Sequence, residues 1–210
     1  MSLQQQETRV ELLRHGEPVG GRRYRGQLDD VLSERGWAQM WAAVGDRSDW
    51  QQIVTSPLQR CHAFAAALGE LHQLPVQEEA RFAEIGFGEW EGKTRAELEQ
   101  LVPGQVGRFL SDPVTSRPPG AEPLDAFIAR VQAGFDALLA ACAGQSVLVV
   151  AHAGVIRAVM ASVLQIPPAA MYRINVANAG ITEIRTDRER SFSLYSHGPA
   201  FDLENARSRK

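Results

Sequence analysis

Three observations predict an α/β protein: short apolar strands alternate with amphipathic helices, Ser146-Val147-Leu148-Val149-Val150 is a continuous apolar run, and three strands are followed closely by arginine or histidine. The expected architecture is a three-layer α/β/α sandwich with a mostly parallel central sheet and antiparallel strands at one edge. The 210 residues suffice for a substantial core, and 44% hydrophobic and 22% charged residues at a net charge of −3 exclude a disordered or collagen-like chain. No apolar stretch approaches the roughly eighteen residues of a membrane span. Met1-Ser2-Leu3-Gln4-Gln5-Gln6-Glu7 lacks the basic and apolar regions of a signal peptide. The expectation is a cytoplasmic protein with neither membrane nor nucleic acid as partner. Cys61 and Cys142 lie in apolar helical patterns and read as core thiols.

The first strand, Val10-Glu11-Leu12-Leu13, stops at Arg14-His15-Gly16-Glu17-Pro18. A flexible basic loop, Gly20-Gly21-Arg22-Arg23-Tyr24-Arg25-Gly26, follows. Ser33 then offers an N-cap for a helix with Trp37, Met40, Trp41 and Val44 on one face. Ile53-Val54-Thr55 is the second strand, and Ser56 and Pro57 read as N-cap and first residue of a helix carrying Leu58, Cys61, Ala65 and Leu68. An edge strand is expected near Val76-Gln77. The three glycines of Phe82-Ala83-Glu84-Ile85-Gly86-Phe87-Gly88-Glu89-Trp90-Glu91-Gly92 mark a shaped loop. Thr94 and Glu97 form a capping box for a short helix ending by Pro103-Gly104. After four prolines, a long amphipathic helix runs through Leu124, Phe127, Ile128, Val131, Phe135, Leu138, Leu139 and Cys142. Residues ~84–120 are read as a helical insertion in a single domain spanning 1–210, because their apolar periodicity is too short for a core of their own. Beyond the apolar run, Ala151-His152-Ala153-Gly154 opens a helix through Val155, Ile156, Val159, Met160, Val163 and Leu164 that stops before Pro167-Pro168. Strand-like pieces at 172–176, 181–185 and 192–195 close the chain, the last two as a hairpin across 186–190.

The charged strand ends carry the chemistry. Leu13 is followed by Arg14 and His15, Thr55 closely by Arg60, and Val150 closely by His152. Ligands of open α/β sheets bind outside the carboxyl ends of the strands, so these four side chains are expected to line one crevice suited to an anion. Arg60 falls near the start of its helix, where a cation opposes the helix dipole at a cost of ~0.3–1 kcal/mol and calls for a compensating anion. His152 precedes a helix whose free N–H groups attract negative charge. The chain has no Gly-x-x-x-x-Gly-Lys-[Ser/Thr] loop, no Gly-x-Gly-x-x-Gly after a strand, no Gly-x-Ser-x-Gly elbow and no His-Glu-x-x-His. Nucleotide kinases, dehydrogenases, ordinary α/β-hydrolases and zincins lose support accordingly. No cofactor is expected, and a metal is disfavoured because arginines beside His15 and His152 repel cations. A metal-free phosphoryl site remains.

These residues resemble a known family. Leu12-Leu13-Arg14-His15-Gly16-Glu17 is similar to the Arg-His-Gly signature of the histidine phosphatase superfamily, which includes cofactor-dependent phosphoglycerate mutase. Four further blocks resemble the superfamily in the right order. They are Gly26-Gln27-Leu28-Asp29 with Leu32-Ser33-x-x-Gly36-x-x-Gln39, Thr55-Ser56-Pro57-Leu58-Gln59-Arg60, the loop from Glu84 to Gly92, and Val149-Val150-Ala151-His152-Ala153-Gly154-Val155-Ile156-Arg157. Two departures stand out: Cys61-His62-Ala63-Phe64-Ala65 replaces a common Ala-x-x-Thr-Ala, and Gly20-Gly21-Arg22-Arg23 replaces an asparagine that many members place after the first histidine.

The resemblance implies a phosphoglycerate mutase-like fold. It also implies that His15 is the nucleophile, forming a phosphohistidine that water hydrolyses, with phosphate oxygens held by Arg14, Arg60 and His152. The same arginines favour the neutral, attacking form of His15. The family pattern gives proton delivery to the leaving alkoxide to the position of Glu84. Glu89 and Glu91 read as surface or loop-fixing charges, Arg157 as a structural or supporting charge, and Trp37, Trp41 and Phe135 as core; His62, His72 and His197 carry no motif. Mutases of this superfamily usually have a longer insertion, so hydrolysis is expected over phosphoglycerate isomerisation. Tyr24-Arg25-Gly26-Gln27 and the Phe-Gly-x-Trp-Glu-Gly segment resemble alpha-ribazole phosphatases, which dephosphorylate the lower-ligand nucleoside in cobalamin assembly, and assign Arg25, Gly26 and Gln27 to the substrate. The tryptophan motif also occurs in broad-specificity members, so the leaving group stays open, as does the choice between an anion grip and a solvated loop for Arg22, Arg23 and Arg25. The expected partner is a small phosphomonoester, with homodimerisation left open. A module that binds phosphate without turnover would be favoured were His15 or Glu84 missing, and both are present.

Overall fold

The computed structural model describes residues 7–186 and 192–199. Strands β1 (Thr8–Arg14), β2 (Gln52–Thr55), β3 (Val76–Glu78) and β4 (Ser146–Ala151) run parallel, while β5 (Gly180–Thr186) and β6 (Phe192–Pro199) continue the sheet with antiparallel pairing. Their order is β3-β2-β4-β1-β5-β6, which sets β4 and β1 at the centre and leaves β3 at one edge, as its short apolar signal suggested.

Successive side chains of a strand point to opposite faces, and here each face has its own core. Val10, Leu12, Val54, Val147 and Val149 pack with residues of α5 (Leu124–Ala141) and α6 (Ala153–Val163). Leu13, Ile53, Leu148 and Val150 pack with residues of α1 (Glu34–Val44) and α2 (Gln59–His72). The apolar run of β4 thus feeds both cores, and burying each such side chain fully is worth about 1.5–3 kcal/mol. Three layers result. Phe135, 1% exposed, lies in the core as expected, while Trp37 and Trp41 are half-buried and pack against it on Phe64.

Local signals were realised at Ser33, whose hydroxyl caps α1 by accepting from the Gly36 N–H (3.0 Å), and at Thr94 and Glu97, whose capping box opens α3 (Arg95–Leu101). A further helix, α4 (Gln105–Ser111), completes the stretch before the prolines. Both cysteines are free and buried. No helix among the described residues is long and apolar enough to cross a membrane.

Two expectations need correction. Helix α2 begins two residues later than Ser56-Pro57 suggested, with Leu58 as its N-cap. The Ser56 hydroxyl instead accepts from the Leu58 N–H at 3.3 Å and faces a histidine described below. Residues 172–176 are no strand: Pro167-Pro168 opens a 3₁₀ helix (Pro168–Arg173), after which two backbone carbonyls are taken by arginine side chains and not by a neighbouring strand. β5 and β6 pair from Thr186 opposite Phe192, and the connecting residues 187–191 lie outside the described residues.

Candidate active site

The centre of the sheet sets the site. β1 and β4 pair with Leu13 opposite Val150 and Arg14 opposite Ala151, and the ladder extends past the strand ends. The His15 N–H donates to the Ala151 carbonyl and the Ser56 N–H to the Val150 carbonyl, each at 3.0 Å. His15, Ser56 and His152 are thereby held at one edge by backbone bonds, and the two imidazole rings meet edge-on with centroids 5.2 Å apart.

His15 has a defined tautomer. Its Nδ1 lies 2.7 Å from the Gly16 carbonyl oxygen, which can only accept, so Nδ1 carries the proton and Nε2 keeps its lone pair. Gly16 must be glycine, because a Cβ there would stand 2.1 Å from the Gly36 carbonyl oxygen in the first turn of α1. His15 is buried, and burial, then Arg14, then Arg60 push its pKa well below 6.5. His152 is shifted the same way by burial and Arg60. Both rings are therefore neutral at pH 7. His152 Nε2 lies 2.7 Å from Ser56 Oγ, and the Cys61 sulfur packs against the ring at 3.6 Å.

Two arginines flank the pair. Arg60, fully buried in the first turn of α2, donates from Nη1 to the Leu28 carbonyl (2.6 Å) and from Nη2 to the Gly26 carbonyl (2.8 Å). Arg14 donates from Nη1 to the Val176 carbonyl (2.6 Å), and burial depresses its pKa to about 10. The Nε atoms of both are buried and have no acceptor among the described residues. Two buried cations satisfied only by neutral carbonyls, each with an orphaned donor, call for an anion.

The acid-bearing loop completes the arrangement. Glu84 accepts from its neighbour's N–H at Ile85 (2.9 Å) and from the Gly154 N–H at the start of α6 (3.1 Å), where the helix dipole favours a carboxylate. Its charge acts on both Arg14 and Arg157. Glu91 fixes loops, as its position suggested: one oxygen accepts from Phe87 N–H (2.9 Å) and Gln27 N–H (3.2 Å), while Glu89 is exposed.

Arg14, His15, Arg60, Glu84 and His152 thus come together from positions far apart in the chain. The first-loop residues are employed differently. Arg25 is buried and spends its guanidinium on Asp30 and on the Val19 and Gly21 carbonyls. Gly26 offers its carbonyl to Arg60, and Gln27 its N–H to Glu91. Tyr24 packs edge-on against Phe87 (5.2 Å) and Trp90 (5.1 Å). Sequence reading missed Ser56 as partner of His152, and a residue already assigned to helix capping gave no signal for it. His62 is exposed and His197 bridges Thr182 and the Asn175 carbonyl, both away from the histidine pair. Among the described residues no group of three or more His, Cys, Asp or Glu is arranged to hold a metal.

The profile of the histidine phosphatase superfamily (branch 1) matches residues 10–196. A bifunctional protein of Mycobacterium tuberculosis is 35% identical over 194 residues, which are 89% of this chain and 53% of that protein, so the chain spans about half the length of that relative. The native structure of mycobacterial glucosyl-3-phosphoglycerate phosphatase superimposes with a TM-score of 0.80 at 31% identity, covering 93% of this chain and 100% of that one. The alpha-ribazole phosphatase of Shigella flexneri gives 0.77 at 26% identity, covering 94% and 100%. The profile match and the shared fold show that the chain belongs to branch 1 of the histidine phosphatase superfamily.

Proposed function

We propose that the protein is a cytoplasmic phosphomonoesterase acting through a phosphohistidine on His15, without a metal. The observation that carries this reading is the Nδ1–Gly16 contact, which leaves an unprotonated Nε2 on a neutral ring between two arginines with unused donors. Arg14, Arg60 and His152 hold the phosphate oxygens, so charge developing in the transition state meets fixed donors in place of reorienting water. The Nε2 lone pair of His15 forms the N–P bond as the ester P–O bond breaks, and Glu84 hands on to the departing oxygen a proton that the monoanionic ester brings into the site. Water then attacks the phosphohistidine, Glu84 takes a proton from that water, and inorganic phosphate leaves with His15 and Glu84 restored. The arginines that assist this chemistry also oppose a metal cation at the same place.

For the leaving group, alpha-ribazole 5′-phosphate rests on the Tyr24-to-Gln27 and Phe87-to-Gly92 motifs. Their contacts with each other, Tyr24 on Phe87 and Trp90 and Gln27 on Glu91, account for these residues as a loop clasp and reduce the weight of that reading against other small phosphomonoesters. The test is phosphate release in chelator-treated buffer from alpha-ribazole 5′-phosphate, 3-phosphoglycerate and p-nitrophenyl phosphate, with acid quenching to trap an acid-labile phosphoprotein. Turnover and trapping that both disappear in His15→Ala support the mechanism, and the order of the three substrates ranks the leaving groups. Turnover that survives His15→Ala, or a folded protein that binds phosphate and hydrolyses none of the three, overturns it.

A further inference from the structure

Among the described residues three buried side-chain nitrogens lack a hydrogen-bond partner, the Nε atoms of Arg14, Arg60 and Arg117. The first two belong to the arginines that flank the histidine pair. The third belongs to an arginine in the wall of a separate cavity of about 220 Å³, bounded by the junction of α3 and α4 and by residues 116–119. None of Arg14, His15, Arg60, Glu84 and His152 lines that cavity.

Its walls are of two kinds. Trp90, Pro118 and Pro119 supply flat apolar surface, whereas Arg108, Arg117 and Ser116 supply donors, and no acidic side chain is in the lining. Arg108 reaches the Pro103 carbonyl at 3.3 Å, and Arg117 reaches the Pro113 and Gly86 carbonyls at 3.5 and 3.3 Å, all beyond the roughly 2.7–3.2 Å of a well-formed bond. The Arg117 guanidinium also lies 5.9 Å from the Phe109 ring centroid and acts on the Tyr172 phenol, both of them neutral groups. A half-buried cation held by long contacts to neutral partners is poorly satisfied, and a carboxylate offers it the two-pronged, charge-assisted bond it lacks. The volume falls below the roughly 300–1,000 Å³ of sites for drug-sized ligands, which limits the occupant to a small acid.

The cavity wall and the loop that carries Glu84 are joined. The Glu122 N–H donates to the Gly86 carbonyl and the Glu89 N–H to the Pro119 carbonyl, each at 3.1 Å, and the Gly86 N–H donates to Glu122 Oε2 at 3.2 Å. The seam is tight: a Cβ on Gly88 would stand 2.2 Å from the Pro119 carbonyl oxygen. A carboxylate that takes the Arg117 guanidinium draws it from Gly86, two residues from Glu84, and a ring seated on Pro118 and Pro119 presses on the same seam.

We propose that this cavity binds a small aromatic carboxylate, its ring against Trp90 and the two prolines and its carboxylate on Arg117 and Arg108, and that occupancy slows turnover by displacing Glu84. Binding at the cavity stands apart from the phosphatase reading, and the effect on turnover rests on it.

The experiment titrates the protein with benzoate, benzyl alcohol and acetate while inorganic phosphate saturates the crevice of His15. Binding is followed through the indole N–H resonance of Trp90, which donates to Gln105 in the cavity wall at 2.9 Å. Benzoate is expected to shift that resonance and to bind at least tenfold more tightly than the controls, which lack its charge or its ring. Arg117→Gln weakens benzoate tenfold or more, and Arg117→Lys restores part of the affinity because charge returns without the planar fork. In kinetics without added phosphate, saturating benzoate lowers kcat on glycerol 3-phosphate at least threefold with KM unchanged, and alters kcat on p-nitrophenyl phosphate less than twofold. Equal binding of the three compounds, or a benzoate shift that phosphate abolishes, overturns the site. Should Arg117→Gln fail to fold, Arg108→Gln at an exposed position decides, and undiminished benzoate affinity refutes the assignment. Bound benzoate with kcat unchanged on both esters overturns the coupling to Glu84. A protein that binds benzoate and hydrolyses no ester sinks the phosphatase reading and supports the cavity site.

Discussion

Gly154→Ala isolates Glu84 from the rest of the site. Gly154 lies in the first turn of α6 with ordinary helical backbone, so alanine suits the helix and gains roughly 1 kcal/mol of propensity there. The added Cβ, however, would stand 2.1 Å from Glu84 Oε1, 3.1 Å from its carboxyl carbon and 3.3 Å from Phe127. Ordinary contact begins at 3.4 Å, so the carboxylate must retreat by about 3.4 − 2.1 = 1.3 Å. That retreat pulls Oε1 from the Ile85 N–H and loosens the bond of Oε2 to the Gly154 N–H, at a cost of about 1–2 kcal/mol that roughly offsets the helix gain. Stability should change by no more than about 1 kcal/mol. A displacement of about 1 Å at a proton-transferring group costs on the order of 100-fold in rate. The loss should concentrate where the departing oxygen needs a proton, so kcat on glycerol 3-phosphate is expected to fall about 100-fold and kcat on p-nitrophenyl phosphate, whose phenolate leaves unaided, far less. Parallel kinetics on the two esters with a thermal melt test this. Equal losses on both, or an unchanged alkyl rate in a folded variant, would refute the placement of Glu84 at the leaving group.

Three further predictions follow from the same geometry. His15 and His152 stay neutral in the folded protein while the unfolded chain protonates them below about pH 6.5, so the unfolded state binds more protons and stability falls as pH drops from 6.5 toward their depressed folded pKa values. The pair contributes up to about 2.7 kcal/mol per pH unit in that window; urea midpoints at pH 7, 6 and 5.5 should show a slope that flattens when both are replaced by asparagine, and an unchanged slope would contradict their burial as neutral rings. Arg60→Lys keeps the charge but loses the fork that joins the Gly26 and Leu28 carbonyls to the phosphate, and kcat/KM should fall about 10- to 100-fold, the equivalent of about 1.5–3 kcal/mol for a charge-assisted bond. Gly26→Ala forces a side chain into φ +52° and within 2.0 Å of Glu91 Oε1, so it should destabilise the protein by about 1–2 kcal/mol or more and raise KM; a Tm within a degree of wild type would contradict the clasp between the two loops.

Much of the site was legible because its charged residues sit at chain positions that the strand pattern marks. Arg14 ends β1, His15 and His152 follow the ends of β1 and β4, and the parallel pairing of those strands brings them together whatever else the fold does. What was not legible depends on partners distant in sequence. Glu84 meets Gly154 across 70 residues and Ser56 meets His152 across 96, so neither contact has a local signature, and Ser56 read as a helix cap for that reason. The stretch after Pro168 looked like a strand because Ile174 and Val176 are β-branched. Its carbonyls are consumed by Arg157 and Arg14, a use of backbone that periodicity cannot show. Arg25 is the converse case: a basic loop residue that looked free for substrate binds the loop's own carbonyls.

The bonds from His15 to Ala151 and from Ser56 to Val150 prolong the sheet by one rung beyond its named strands. His15 therefore shares the cooperativity of the innermost strands, and its amide should be among the last to exchange with deuterated solvent, opening only with the whole sheet. The loops that carry Gln27 and Phe87 lie outside this rung and are tied to one another through Glu91. Under the proposed function, replacement of those loops would redirect the site to another alcohol while the phosphoryl chemistry stays intact, which makes the chain a natural starting point for transplanting specificity.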